Sequence, residues 1–457
     1  MACKATDPVT VLPAETLKGT YHTRTLASVA GGVALSLALA FPALAQIAPP
    51  GPRIQYPDGA VIDDPERIYG DDADGFSPLA IVGALGLSVN AGLVTEYSDN
   101  VARMAEGQPL SSRFESKDDW IFRPTAGVAF ERPLGRNRIF GAATIGRNIY
   151  ARNHRLNSNR FGVSGGGDFQ IGQACNGQVT GGWSKRDTQL GSFEEVVASQ
   201  QTRTRFGGSV GCSTMMGLTG RVGYNRSSVR NDTDDPNYDR TFADVDSHLV
   251  NASLGYRVGL RGQVGVAGSW AENRYINQII DGEVNTNEIR TVSVFGNYRI
   301  GNSLNASGSI GRTRLTSNTP GSVGFSGATW SLGVGYAGPR IGANIGMGRS
   351  VNGGRGVSAN YTIQQFYNLS TTYSANDRLR FSTGYSHTKV DLRGIAALPE
   401  TEVASQNVNN RFFVGSDYSL NSFLRLGLDF NHHRRSSTPS NFSYKVNSVI
   451  FSIKAHL

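Results

Sequence analysis

Cysteine, charge and long apolar runs are all scarce in this sequence. Three of its 457 residues are cysteines and 18% are charged. After residue 46 the chain has no run of about 18 or more apolar residues, which excludes membrane-spanning helices from that part. The histidines form no nucleophile-elbow or zinc-ligand pattern. We therefore expect no enzyme, no metal site and no cofactor.

Glycine, by contrast, is abundant, with 56 residues, and the formal net charge is +8. A basic chain can bind nucleic acid, but these arginines are spread along the whole length instead of forming one patch, so we expect no nucleic-acid partner. Two fold classes remain: a soluble all-β protein, and a membrane barrel whose strands are apolar on one face only.

The one solid apolar run lies near the N-terminus, from Leu26 to Ala40. Lys18 and Arg24 precede this run, and Ala43-Leu44-Ala45 follows it. A basic segment, an apolar core and a small-residue site together indicate a secretory signal peptide. We predict a signal peptide over residues 1–45, cleaved between Ala45 and Gln46. The alternative, a retained membrane anchor, is disfavoured because Pro42 would break its helix.

Residues 46–80 are rich in proline and acidic side chains and have no periodic apolar face. This composition predicts a flexible N-terminal segment, which in an exported protein would lie in the periplasm.

From about residue 81 onward, segments of roughly 10–14 residues alternate between apolar and polar side chains. Val264, Val266 and Trp270 share one face of such a segment, and Gln263 and Ser269 share the other. This period of two predicts strands with one apolar face and one wet face. Aromatic residues near the segment ends are typical of the interfacial girdles of membrane barrels.

The connections between these segments alternate between short and long. Gly301-Asn302 is short, whereas 230–246, 276–287 and 393–406 are long and polar. Such asymmetry is typical of an outer-membrane barrel with short periplasmic turns and long external loops. We predict that residues 81–457 form an all-β, transmembrane, antiparallel up-and-down barrel of about 18 strands, with 16 as the alternative count. The predicted location is the outer membrane of a Gram-negative-type bacterium.

Cys175 and Cys212 are the two cysteines that remain after the predicted processing. Both fall near predicted periplasmic turns of neighbouring hairpins, and an exported chain meets an oxidising compartment. We predict a disulfide between them; two free thiols are the alternative.

Arginines are the residues whose placement bears most directly on function. If the apolar faces meet lipid, several arginines lie in the lumen or at its rim, whereas inward acids such as Asp168, Asp417 and Asp429 are fewer. Basic side chains lining a pore favour anions. The alternative is that these arginines border the turns and pair with carboxylates or lipid phosphates. The predicted pore-lining residues are Arg205, Arg221, Arg257, Arg299, Arg340, Arg380 and Arg425.

The segment Tyr97-Ser98-Asp99-Asn100-Val101 resembles the Tyr-x-Asp-Asn-Ile/Val motif in the first strand of the bacterial "putative β-barrel porin 2" family. Phe122-Arg123-Pro124 also looks like that family. The resemblance implies a large outer-membrane barrel, often connected with exopolysaccharide export. It carries over no functional residues.

The leading functional hypothesis is a porin-like channel for passive passage of polar or anionic solutes. One alternative is an export pore for a secreted exopolysaccharide, working with periplasmic polysaccharide-export components. A second is a structural or adhesive barrel with a blocked lumen. In each case the expected partners are outer-membrane lipid, lipopolysaccharide and the barrel assembly machinery.

Overall fold

The computed structural model describes residues 86–110, 112, 114–187, 199–233, 241–320, 322–353, 361–393, 405–438 and 440–456. The predicted signal peptide, its cleavage site at Ala45–Gln46 and the segment 46–80 lie outside these residues. Within the described residues, no helix is both long enough and apolar enough to cross a membrane.

The described residues contain 18 strands in one sheet. The strands are β1 (Leu87–Ser98), β2 (Asp119–Leu134), β3 (Asn137–Tyr150), β4 (Ser158–Ile171), β5 (Cys175–Asp187), β6 (Ser199–Ser213), β7 (Leu218–Thr233), β8 (Val245–Val258), β9 (Gly262–Ile280), β10 (Glu283–Ile300), β11 (Leu304–Ser317), β12 (Phe325–Ala337), β13 (Ile341–Gly353), β14 (Tyr361–Ser374), β15 (Leu379–Arg393), β16 (Gln406–Ser419), β17 (Leu424–Thr438) and β18 (Tyr444–His456).

Each strand pairs antiparallel with the next, and the last strand pairs with the first. At this seam Asn90 lies opposite His456 and Ser98 lies opposite Ser448. Closure gives the first and the last strand a partner on both sides, which is the condition for a sheet to lie in lipid. The predicted all-β, up-and-down barrel of 18 strands is therefore confirmed.

The long connections lie at one rim of the barrel and the short ones at the opposite rim. Residues 99–110, 114–118 and 151–157 lie at one rim, here called the long-loop rim. Residues 135–136 and 301–303 lie at the other, the short-turn rim. Because β1 begins and β18 ends at the short-turn rim, both ends of the sheet lie on the same side of the barrel.

One predicted long loop, 276–287, is wrong. β9 runs to Ile280 and β10 begins at Glu283, so a two-residue turn joins them. Asp281 and Gly282 have φ values of 52° and 83°, as a tight hairpin of this kind requires. The polar side chains that suggested a loop bond to one another instead, as Asn285 Nδ2 donates to Gln278 Oε1 at 2.6 Å.

The outer face of the barrel is apolar and exposed. Val292, Ile310 and Val222 keep 68%, 65% and 59% of their surfaces exposed. A continuous apolar surface of this size is not stable in water, but it matches the hydrocarbon core of a bilayer. The apolar faces of the predicted strands therefore do point outward.

Aromatic side chains border this apolar surface on both sides. On the outward face they lie near the short-turn rim as Tyr256, Tyr298, Tyr336, Tyr373 and Tyr418, and towards the long-loop rim as Tyr97, Trp120, Trp183, Trp270 and Trp330. Polar residues follow directly beyond the second group, with Lys185 two positions after Trp183 and Glu272 two after Trp270. Rings at such borders suit the headgroup zone.

Cys175 and Cys212 lie directly opposite each other on β5 and β6, near the short-turn rim. Their sulfur atoms are 2.11 Å apart, which is a disulfide bond. The disulfide therefore joins two residues that face each other on neighbouring strands of the wall. The sequence alone places both cysteines near neighbouring turns.

We expect the double variant Cys175→Ser, Cys212→Ser to lose roughly 3–4 kcal/mol of unfolding free energy, because the disulfide restricts the unfolded chain over a separation of 37 residues. Urea denaturation of the folded protein in detergent, with and without reductant, measures this loss. An unfolding midpoint that reductant does not change in the wild-type protein would contradict the expectation.

Candidate functional site

The inner face of the barrel is lined by small and polar side chains. Hydroxyl groups on successive strands bond to one another across it: Thr291 on β10 to Thr313 on β11 at 2.9 Å, and Thr313 to Thr329 on β12 at 2.9 Å. This lining contrasts with the apolar outer face of the same strands. It can hydrate a water-filled lumen, which is the candidate functional site.

Six of the seven predicted pore-lining arginines occupy inward positions of the wall. Arg340 is the exception, because it lies in the turn before β13 and therefore at the short-turn rim. Register fixes the inward positions; for example, Arg380 lies opposite Asp417, whereas the next outward residue, Phe381, is 43% exposed. The inward arginines are Arg205, Arg221, Arg257, Arg299, Arg380 and Arg425.

These arginines do not form one ring at mid-height. Apart from Arg205, each lies within a few residues of the strand end at the short-turn rim. The wall therefore carries a basic zone at that rim, with Arg205 further into the lumen.

Several other inward arginines were missed at the sequence level. Their signal was the phase of the alternation, which places each of them on the face opposite to the apolar face of its strand. They are Arg123, Arg138, Arg160, Arg186 and Arg435.

Part of the basic charge is neutralised by inward acids. Arg123 Nη1 lies 2.6 Å from Glu96 Oε2. Arg138 bonds to Asp168 and also contacts Glu131, with Nη1 to Oε1 at 3.0 Å. Asp417 and Asp429 also lie on inward positions. The described inward positions still hold more basic than acidic residues, so the lumen is positive overall.

The ends of β13 and β14 that lie nearest the long-loop rim leave the wall of the barrel. The pairing of β12 with β13 stops at Trp330 and Arg349, although β13 continues to Gly353. Beyond that point Val351 and Tyr361 form a buried cluster with Leu315, an inward residue of β11. The two strand ends therefore fold over the inner face of their neighbours.

Contacts further across the lumen agree with this displacement. A methyl group in place of the Gly353 α-hydrogen would lie 2.9 Å from Nδ2 of Asn273 and 3.1 Å from the hydroxyl of Tyr275, both on β9. Tyr275 is only 3% exposed and Asn287 only 1%. Residues that would line an open lumen are thus covered, and the passage narrows at this level.

Inward phenylalanines are paired with inward glycines on the adjacent strand. A Cβ atom on Gly265 would lie 2.6 Å from Cζ of Phe295, and one on Gly384 would meet Cε1 of Phe413. Phe366 lies over Gly348 in the same way. Each ring occupies the space that the glycine leaves, so it lies along the wall.

No group of His, Cys, Asp and Glu residues that could hold a metal ion occurs in the described part of the chain. A closed antiparallel sheet with an apolar exterior and a polar interior defines a transmembrane β-barrel of the outer-membrane type. Barrels of this strand number enclose an aqueous channel.

The chain is similar in fold to solved barrels from Pseudomonas. One is the siderophore receptor PirA from Pseudomonas aeruginosa, with 11% identity and a TM-score of 0.45, covering 82% of this chain and 81% of that one. A second is OccK2 (OpdF) from Pseudomonas aeruginosa in complex with glucuronate, with 12% identity and a TM-score of 0.46, covering 83% and 100%. A third is a BenF-like porin from Pseudomonas fluorescens, with 13% identity and a TM-score of 0.45, covering 83% and 100%. No protein-family model and no curated protein sequence matches the chain. The class of this protein accordingly rests on its own geometry.

Proposed function

We propose that this protein is a passive outer-membrane channel for small polar solutes, with a preference for anions. The observation that carries the proposal is a polar inner face with more basic than acidic residues, enclosed by an apolar outer face. Such a lining attracts anions and repels cations of similar size. Its partners would be outer-membrane lipid, lipopolysaccharide and the barrel assembly machinery.

Val351 and Tyr361, at the ends of β13 and β14, pack against Leu315 of the inner wall, and we call this packing over β9–β12 the narrowing. It limits the size of the solute that can pass. Val351 and Tyr361 are each only 7% exposed where the ends of β13 and β14 pack against the inner wall. The space that remains suits a small solute better than a polymer. Among the residues that the structure describes, no contact favours the export of an exopolysaccharide.

The same packing favours one rival, a structural barrel whose lumen is closed. Both hypotheses share the wall and the basic zone, and they differ only in whether ions pass. Conductance separates them directly.

The test is the reversal potential of single channels in a planar bilayer under a KCl gradient. Steady current with anion preference is expected for the wild-type protein. The triple variant Arg221→Gln, Arg257→Gln, Arg299→Gln should lower the anion-to-cation permeability ratio by roughly twofold or more, because three inward charges are removed.

The matched control removes the same charge from outward positions, with Arg226→Gln, Arg312→Gln and Arg434→Gln. It should leave the permeability ratio unchanged. A folded wild-type barrel that carries no current would reject the channel and leave the closed structural barrel.

A further inference from the structure

Near the long-loop rim, the inner face of β16, β17 and β18 gathers basic side chains. Arg411 on β16 lies opposite His433 on β17, and Arg435 on β17 lies opposite Tyr444 on β18. Arg103, from the connection between β1 and β2, reaches the same place. We call Arg103, Arg411, His433, Arg435 and Tyr444 the mouth cluster.

Arg103 is held there by a tight turn. Its φ is 54°, and its backbone nitrogen donates to the carbonyl of Asn100 at 3.2 Å. The Asn100 side chain fixes that turn, because its Nδ2 donates to the carbonyls of Met104 at 3.0 Å and Lys445 at 2.9 Å. The position of Arg103 is thus set by bonds to the wall.

The Tyr444 ring is the centre of the mouth cluster. The guanidinium carbons of Arg103 and Arg435 lie 6.0 Å and 5.8 Å from the ring centroid. The His433 ring meets it edge-on at 5.4 Å. An aromatic face attracts cations, so one ring gathers two guanidinium groups.

Positive charge is concentrated at this point of the wall. Arg411 lies opposite His433, and Arg103 and Arg435 lie beside the Tyr444 ring that His433 contacts, so three guanidinium groups share this part of the wall. Like charges held close together repel one another, and a bound anion relieves that repulsion.

The members of the cluster differ in burial. Arg435 and Tyr444 are only 3% and 6% exposed. Arg103, Arg411 and His433 are partly buried, so part of each side chain is accessible. A guanidinium group donates two parallel hydrogen bonds to an oxyanion, so the partly accessible Arg103 and Arg411 carry donors of the kind that bind a carboxylate or phosphate group.

We infer that the mouth cluster is a binding site for the oxyanion group, carboxylate or phosphate, of a small solute. The inference deepens the proposed channel function, on which it rests for the route of the solute. The site captures the anion at the long-loop rim before it meets the narrowing.

Calorimetric titration of the folded protein in detergent at low salt tests the site, with succinate and inorganic phosphate as separate probes. Binding of succinate, phosphate or both is expected, and which of them binds identifies the preferred oxyanion. Arg411→Gln and Arg103→Gln should each lower the affinity about tenfold or more, since each removes a charge-assisted donor. Arg434→Gln is the matched control, because this arginine stands between His433 and Arg435 but faces outward. It should bind within about twofold of the wild-type protein, since its charge is screened from the lumen.

Failure of this site and failure of the channel give different results. Binding that is lost in Arg411→Gln and Arg103→Gln but kept in Arg434→Gln supports the site, even if bilayers show no current. Conducting channels that bind neither probe overturn the site and leave the channel standing. Equal loss in all three variants would also overturn it, because only overall charge would then matter.

Discussion

Replacing Tyr361 and Leu315 with alanine should raise the single-channel conductance about twofold or more, because a wider passage passes more ions. These two side chains, with Val351, fix the ends of β13 and β14 against the inner wall. The Phe325 and Tyr361 rings, 6.0 Å apart, extend the same packing. Without it the strand ends lose most of their contact with β9–β12. Planar-bilayer recording at fixed salt measures the change.

The control for this experiment is Ile121→Ala. Ile121 is an equally buried inward residue, 4% exposed, but it lies on β2, away from the narrowing. Truncation of either buried aliphatic side chain costs about 2–5 kcal/mol of stability. If the double variant has a raised conductance and the control conducts as the wild type does, the effect belongs to the narrowing. An unchanged conductance in the double variant would show that these strand ends do not limit the current.

Asn100→Ala should destabilise the barrel by roughly 3 kcal/mol, because it removes the partner of three partly buried backbone groups and each costs about 1–3 kcal/mol. Asn100 is 2% exposed; its side chain accepts from the Met104 nitrogen at 3.0 Å and donates to the carbonyls of Met104 and Lys445. Beside it, Asp99 accepts from the backbone and side chain of Asn447 at 2.8 Å and 2.7 Å. These bonds join chain segments 345 and 348 residues apart at the β1–β18 seam.

Urea denaturation and refolding yield in detergent measure this effect. The control is Asn421→Ala: Asn421 also accepts two backbone hydrogen bonds, from Phe423 and Leu424, but it is exposed in a short turn, where water replaces them. We expect the control to lose about 1 kcal/mol or less, as for one net hydrogen bond. Equal losses in the two variants would mean that the seam contributes nothing special to stability.

The alternation of apolar and polar residues predicted the barrel wall, because each strand has one face towards lipid and the other towards the lumen. The segment in which Val264, Val266 and Trp270 share one face lies within β9, and Val264 and Val266 are 50% and 51% exposed on the outer face. The signal fails where a strand leaves the membrane. At the β9–β10 hairpin two polar residues, Asn277 and Gln278, are followed by two adjacent apolar ones, Ile279 and Ile280, so the period of two disappears although the backbone pairing continues to Ile280 and Glu283.

The narrowing could not be predicted from the sequence, for a different reason. Val351 continues the apolar face of β13 and looks like a lipid-facing residue. Alternation shows which face of a strand is apolar, but it does not show what covers that face. Here Leu315 and Ile289 of the inner wall cover it instead of lipid.

The mouth cluster could be predicted only in part. The phase of β16 and β17 places Arg411 and Arg435 inward, but Arg103 belongs to a connection without any period. The motif Tyr97–Val101 was recognised at the sequence level by its resemblance to a family, with no role attached. In the structure, Asp99 and Asn100 of that motif bind the last strand.

The pairing of inward phenylalanines with glycines makes the bore of the barrel adjustable by single residues. Val or Leu at Gly384 would occupy the space of the Phe413 ring, whose Cε1 and Cζ are the two atoms nearest to the position of the first added carbon. The ring would then rotate away from the wall and project into the water-filled space. Strand number sets the circumference of such a barrel, whereas the free cross-section depends on a few glycines, so relatives with equal strand counts and loops can still pass solutes of different size.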